Sequence, residues 1–157
     1  MTGTEVLVEV RDAERMRALG ARLAQACRAG DIVVLDGPLG AGKTTFTQGF
    51  AVGLEVAGPV TSPTFVIARV HRAAHGPDLV HVDAYRLGDL AELDDLDLDA
   101  SVADSITVVE WGEGMAERLG EQVIHVRIAR DVAESPDHRT VRIRMPEGRQ
   151  PPTSAGR

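Results

Sequence analysis

The stretch Gly37-Pro-Leu-Gly-Ala-Gly-Lys-Thr44 constrains this chain more than any other feature. It fits G-x-x-x-x-G-K-[ST] at every fixed position, and the chemistry of that pattern dictates what must surround it. Glycines at these places permit backbone angles that turn consecutive N–H groups inward around an anionic phosphate chain. A helix must follow, because its N-terminal end offers positive partial charge to the same anion. A strand must precede, to hold the turn at a sheet edge. Both are readable. Asp31-Ile-Val-Val-Leu-Asp36 is a short apolar run of the buried-strand type, and helical spacing runs from about Lys43 to Val52, closed by Gly53. Lys43 is then placed to reach the β- and γ-phosphates, and the Thr44 hydroxyl to bind Mg²⁺. A flexible glycine turn is the plain alternative, and the strand–loop–helix context decides against it.

Composition adds weight to Lys43. The chain has 16 Arg but a single Lys, and no Asn. A chain that otherwise uses Arg for positive charge keeps one compact ammonium, at the position where a planar guanidinium fork would not serve. The absence of Asn also removes any Asn-Lys-x-Asp segment for reading guanine, which favours ATP over GTP. The net charge of −7 argues against broad adhesion to nucleic acid or membrane. One cysteine, Cys27, makes neither an internal disulfide nor a thiolate metal cluster. No apolar run approaches the roughly 18 residues of a membrane span, and the polar start has no signal-peptide pattern. These features predict a soluble, cytoplasmic, single-domain protein.

The pattern along the chain predicts an α/β fold, a mostly parallel sheet with helices on both faces and an antiparallel end. Glu5–Val10 alternates like a half-buried strand. Asp12 caps a helix carrying Met16, Leu19, Leu23 and Cys27 until Gly30 stops it, which makes Cys27 a packed thiol. Thr64–Val70, Leu79–Asp83 and Ile106–Glu110 read as further strands, with helices over Leu87–Leu98 and Gly112–Leu119. Gln122–Ala129 and Arg139–Met145 form a terminal strand pair around a polar loop. The folded domain is thus expected over 1–145, with a disordered tail over 146–157.

A phosphate loop of this kind needs a second carboxylate at a strand end, to hold Mg²⁺ or its water shell. Asp83 closes Leu79-Val-His-Val, and Glu110 closes Ile106-Thr-Val-Val. Both sit where open α/β sheets bind ligands. Gly40-Ala-Gly-Lys-Thr-Thr45, Thr61-Ser-Pro-Thr-Phe65, His81-Val-Asp-Ala-Tyr-Arg-Leu87 and Val109-Glu-Trp111 follow one another in that order. Together they resemble the TsaE family (formerly YjeE), the ATPases that support threonylcarbamoyladenosine modification of tRNA in bacteria, over about residues 5–145.

The resemblance implies a phosphate-loop ATPase that is weak alone and stimulated by partners, serving tRNAs that read codons beginning with adenine. It puts ATP on Gly40, Ala41, Gly42, Lys43, Thr44 and Thr45, and Mg²⁺ on Thr44 and Glu110. Asp83 becomes an acid acting through water, and Ser62-Pro63-Thr64 a switch-like segment near the γ-phosphate. Trp111 lies near the nucleotide. A late arginine contacts nucleotide in relatives, and Arg139 is the best match, with Arg142 close by. The implied partners are the threonylcarbamoyl transferase subunit (TsaD-like) and its non-catalytic paralogue (TsaB-like). Direct contact with tRNA stays open, and no membrane association is expected. Two positions depart from the family pattern: Pro38 replaces a frequent acidic residue, and Gly112 a frequent proline.

Other readings bound this one. A small-molecule kinase would need a second pocket and a cationic lid, for which only Arg69 and Arg72 are at hand. A binding module gated by nucleotide occupancy is the rival of another class. His71, His75, His125 and His138 lack metal-ligand spacing and read as surface or loop residues. His81 either orients Asp83 or is a core histidine. The acidic run Asp94–Asp99 is a solvated helix face or a docking surface, and Arg86 an ion-pair partner or a partner contact.

Overall fold

A computed structural model describes residues 3–38, 40–56, 68–83, 104–110, 122–130 and 136–152. Its elements run β1 (Glu5–Val10), α1 (Ala13–Ala26), β2 (Ile32–Asp36), α2 (Lys43–Gly53), β3 (Ala68–His71), β4 (Asp78–Asp83), β5 (Ser105–Glu110), β6 (Val123–Arg130) and β7 (Arg139–Arg144). The Asp12 side chain caps α1 by accepting the Arg15 N–H at 2.8 Å. That bond, with the Arg15 guanidinium, holds the Asp12 carboxyl below its ordinary range. The helix ends at Ala26, short of Gly30, because Cys27 is extended and Arg28 N–H turns to Asp31 Oδ2 at 2.9 Å. The helices predicted over 87–98 and 112–119, the strand residues 64–67 and the segment 61–65 lie outside the described residues.

The strands form one sheet in the order β1-β7-β6-β2-β5-β4-β3. The four central strands, β6-β2-β5-β4, are parallel. The antiparallel end expected from β6 and β7 is present, and β1 extends it by pairing with β7. A second antiparallel edge, not anticipated, comes from the β3–β4 pair. There Asp78 Oδ1 accepts the Ala73 N–H at 2.9 Å and closes the connecting turn. The strand continues through His71, which is buried rather than a loop residue.

The sheet's alternation sorts the core. Val33, Leu35, Val108, Ile124, Val126 and Ile143 share a cluster with Met16, Leu19, Leu23, Phe46 and Phe50 of the two helices. Each fully buried side chain of this size contributes about 1.5–3 kcal/mol. The helices meet with backbones nearly touching, since a Cβ on Gly20 would overlap the Phe46 carbonyl and one on Gly49 the Arg17 carbonyl. On the opposite face Ile32, Val34, Val80, Val82 and Val109 are buried as well. Burial on both faces marks a sheet covered on both sides over its parallel centre. Towards β6, β7 and β1 that second face opens, and a cavity of about 230 Å³ there is lined by Glu5, Asp36, His125, Arg127, Arg142 and Arg144.

The stretch after β7 does not leave the body at Pro146, as the sequence predicts. Arg149 makes a two-pronged pair with Asp31, at 2.9 and 2.7 Å, and donates to the Ala26 carbonyl at 3.0 Å. Asp31 is only 1% exposed, and a carboxylate that deep requires a cation.

Candidate phosphate-binding site

The loop leaves the C-terminal end of β2, with β5 on one side and β6 on the other. That is the crevice in which open α/β sheets hold ligands. Gly40 and Gly42 have φ of 76° and 112°, values costly for any residue with a Cβ. Gly42 is also the N-cap of α2, and its carbonyl accepts the Phe46 N–H at 2.8 Å. The first turn of α2 is therefore Lys43, Thr44 and Thr45, whose N–H groups point out of the helix's N-terminal end. Lys43 is 7% exposed, and its Nζ donates to the carbonyls of Gly37 at 2.5 Å and Pro38 at 3.2 Å. Pro38 thus loses an N–H but supplies an acceptor, which also takes the Ala41 N–H at 3.1 Å.

Glu110 is the last residue of β5 and is 5% exposed. It pairs in register with Leu35, two residues before the loop, and with Asp83 at the end of β4. The structure therefore brings both sequence-assigned acids to the sheet edge from which the loop springs. Sequence reasoning missed the partner of Glu110. His81, fully buried on β4, lies with Nε2 2.9 Å from Glu110 Oε2. An ionised carboxylate only accepts, so Nε2 carries the proton in that state. His81 Nδ1 has no hydrogen-bond partner among the described residues. The histidine is fully buried, in line with the core reading of the sequence, and the contact it makes is with Glu110. The only sequence signal was its place two residues before a strand-end acid.

For a metal, the donor set is informative. Thr44 and Glu110 offer hard oxygens, and no group of three or more His, Cys, Asp or Glu gathers among the described residues. That suits Mg²⁺, which takes one or two protein oxygens and draws the rest from phosphate and water.

Arg139 opens β7 and does stand at the loop. Its guanidinium bonds the Ala41 carbonyl at 2.9 Å and the Gly40 carbonyl at 3.3 Å. Arg142 does not share that place. It faces the other side of the sheet, 3.5 Å from Glu5. Arg72 is paired with Asp78 at 3.8 Å. Trp111, Ser62-Pro63-Thr64, Arg86 and the acidic run 94–99 lie outside the described residues.

A glycine loop with a buried lysine, set between the central strand of an α/β sheet and a helix, defines a protein of the P-loop NTPase-like class. The family model of the threonylcarbamoyl adenosine biosynthesis protein TsaE matches residues 10–141, and the chain belongs to that family. It is 61% identical to the tRNA threonylcarbamoyladenosine biosynthesis protein TsaE of Streptomyces coelicolor over 124 residues, covering 78% of this chain and 84% of that protein. The protein of the same name from Mycobacterium tuberculosis is 52% identical over 136 residues, covering 82% and 79%. Among solved structures, Bacillus subtilis YdiB superposes with a TM-score of 0.72 at 28% identity, over 92% of this chain and 88% of that one. The family's part in tRNA threonylcarbamoyladenosine biosynthesis is therefore this chain's functional setting. Among the described residues no helix is long and apolar enough to cross a membrane.

Proposed function

We propose that the chain is a Mg²⁺-dependent ATPase of the cytoplasm, working on the threonylcarbamoyl transferase complex rather than modifying tRNA itself. The observation that carries this reading is Lys43, the one ammonium in the chain, buried in a glycine loop beside the strand ends of Glu110 and Asp83. ATP is favoured over GTP because no Asn-Lys-x-Asp segment exists.

The reaction is in-line attack of water on the γ-phosphorus. A bond forms from water oxygen to phosphorus, the bond to the bridging oxygen breaks, and ADP, inorganic phosphate and a proton leave. Lys43 and the loop amides stabilise the negative charge of the transferring group. Glu110, held by His81, and Asp83 orient the attacking water. Thr44 and Glu110 would hold Mg²⁺, which when bound neutralises charge on the phosphate oxygens. Hydrolysis then resets the TsaD-like and TsaB-like partners between rounds of modification.

Steady-state phosphate release, with and without those partner proteins, tests the proposal. Release that rises with partners and vanishes in Lys43→Ala supports it. Tight ATP binding that changes the partners' association without phosphate release would make the chain a nucleotide-gated binding module instead.

A further inference from the structure

The family resemblance puts Arg139 on the nucleotide, yet its guanidinium is already engaged. Nε donates to the Ala41 carbonyl and Nη2 to the Gly40 carbonyl, while Nη1 donates to Pro136 at 2.6 Å and His138 at 3.0 Å. A guanidinium has five N–H donors, and four of them are used among the described residues. The acceptors fall in two places, the phosphate loop and the turn before β7. One planar, rigid fork ties them together.

Peptide geometry gives the consequence. A trans peptide unit is planar, with its C=O and the following N–H pointing in opposite directions, and none of the described peptide bonds is cis. Holding the Gly40 carbonyl on Arg139 turns the Ala41 N–H the other way. There it meets the Pro38 carbonyl, the same oxygen that accepts Lys43 Nζ. The side of the loop opposite Arg139 is thus the lysine side. By the same rule, holding the Ala41 carbonyl turns the Gly42 N–H to that side, at the head of α2.

We infer that Arg139 is a positioning residue of the phosphate loop, whose fork holds the Gly40 and Ala41 carbonyls outward so that the amides after them face the lysine side. Without it, those carbonyls are free to rotate and present lone pairs to an incoming phosphate. The identity of that anion rests on the proposed ATPase reading, whereas the bracing of the loop does not.

Three variants test this: Arg139→Lys, Arg139→Ala and Arg130→Ala. Arg130 pairs in register with Arg139 and reaches within 3.9 Å of where a Gly40 Cβ would sit, so it controls for nearby charge. Two quantities are read, amide hydrogen exchange over residues 37–45 without nucleotide, and ATP affinity by calorimetry. Arg139→Lys keeps the charge but loses the fork. It should speed loop exchange and weaken ATP binding by at least about tenfold each, as Arg139→Ala does, while Arg130→Ala leaves both within about twofold. Parent-like exchange and affinity in Arg139→Lys would overturn the inference. So would equal affinity losses in the two alanine variants, which would point to charge alone. If the parent binds no ATP, the ATPase reading fails and the exchange data still decide the bracing.

Discussion

Replacing Lys43 by arginine separates charge from shape at the heart of the site. Lys43 is 7% exposed and its ammonium fits between the Gly37 and Pro38 carbonyls. A guanidinium carries the same charge on a wider, planar head with donors fixed in a fork. In the space enclosed by residues 37–42 it either collides with the β-phosphate or reaches past it. Loss of one charged hydrogen bond to phosphate costs about 1.5–3 kcal/mol, which is roughly ten- to hundredfold in ATP affinity. The global stability of the unliganded protein should change by less than about 1 kcal/mol, because Gly37 is only half-buried, Pro38 is exposed, and water can replace the ammonium. Calorimetric titration of parent, Lys43→Arg and Lys43→Ala at one Mg²⁺ and salt concentration, beside urea unfolding, reads both quantities. We expect the arginine variant to fail nearly as badly as the alanine variant in hydrolysis. Parent-like binding and turnover by Lys43→Arg would make the lone lysine an accident of an arginine-biased composition.

Other expectations bear on the acids and the buried groups. Glu110→Ala should keep part of the ATP affinity and lose Mg²⁺-dependent hydrolysis; parent-like hydrolysis in the partner assembly would move the role to Asp83. His81→Leu strands a carboxylate that is 5% exposed, and urea unfolding should show a loss of about 1–3 kcal/mol. An unchanged midpoint would mean that Glu110 does not depend on the contact. Burial, with Asp31 adding to it, pushes the Cys27 thiol up from 9.0 to about 12. The folded state therefore keeps the proton longer than the unfolded chain, so this contribution to stability is complete below pH 9 and lost as the pH rises towards 12. At pH 8 the folded protein should hold on the order of a thousandfold less Cys27 thiolate than the unfolded chain, and alkylation rates as fast in native as in unfolded protein would contradict that.

What the sequence reveals and what it hides divide along physical lines. The loop is legible because phosphate binding fixes residue types at set spacings, so Gly37 to Thr44 announce themselves and imply β2 and α2 on either side. The strands ending in Asp83 and Glu110 are legible because parallel central strands are apolar on both faces. Which strands lie side by side is not local information. The contact of His81 with Glu110 depends on the parallel register of β4 and β5, and that of Arg149 with Asp31 spans 118 positions. Pro146 onward looks like a loose tail because its composition is polar and proline-rich, while the buried carboxylate that anchors Arg149 lies at the other end of the chain. The family resemblance points to Arg139, but not to its task, since nothing in a sequence shows which carbonyls a guanidinium will reach.

The central claim is that hydrolysis by this chain resets the modification machinery. Its most direct test is tRNA threonylcarbamoylation reconstituted from purified transferase components and followed over many turnovers, with parent chain, with Lys43→Ala, and with no chain added. Sustained turnover is expected only with the parent and hydrolysable ATP, and a stall after early rounds in the other two. Undiminished multiple turnover without the chain, or with Lys43→Ala, would contradict it.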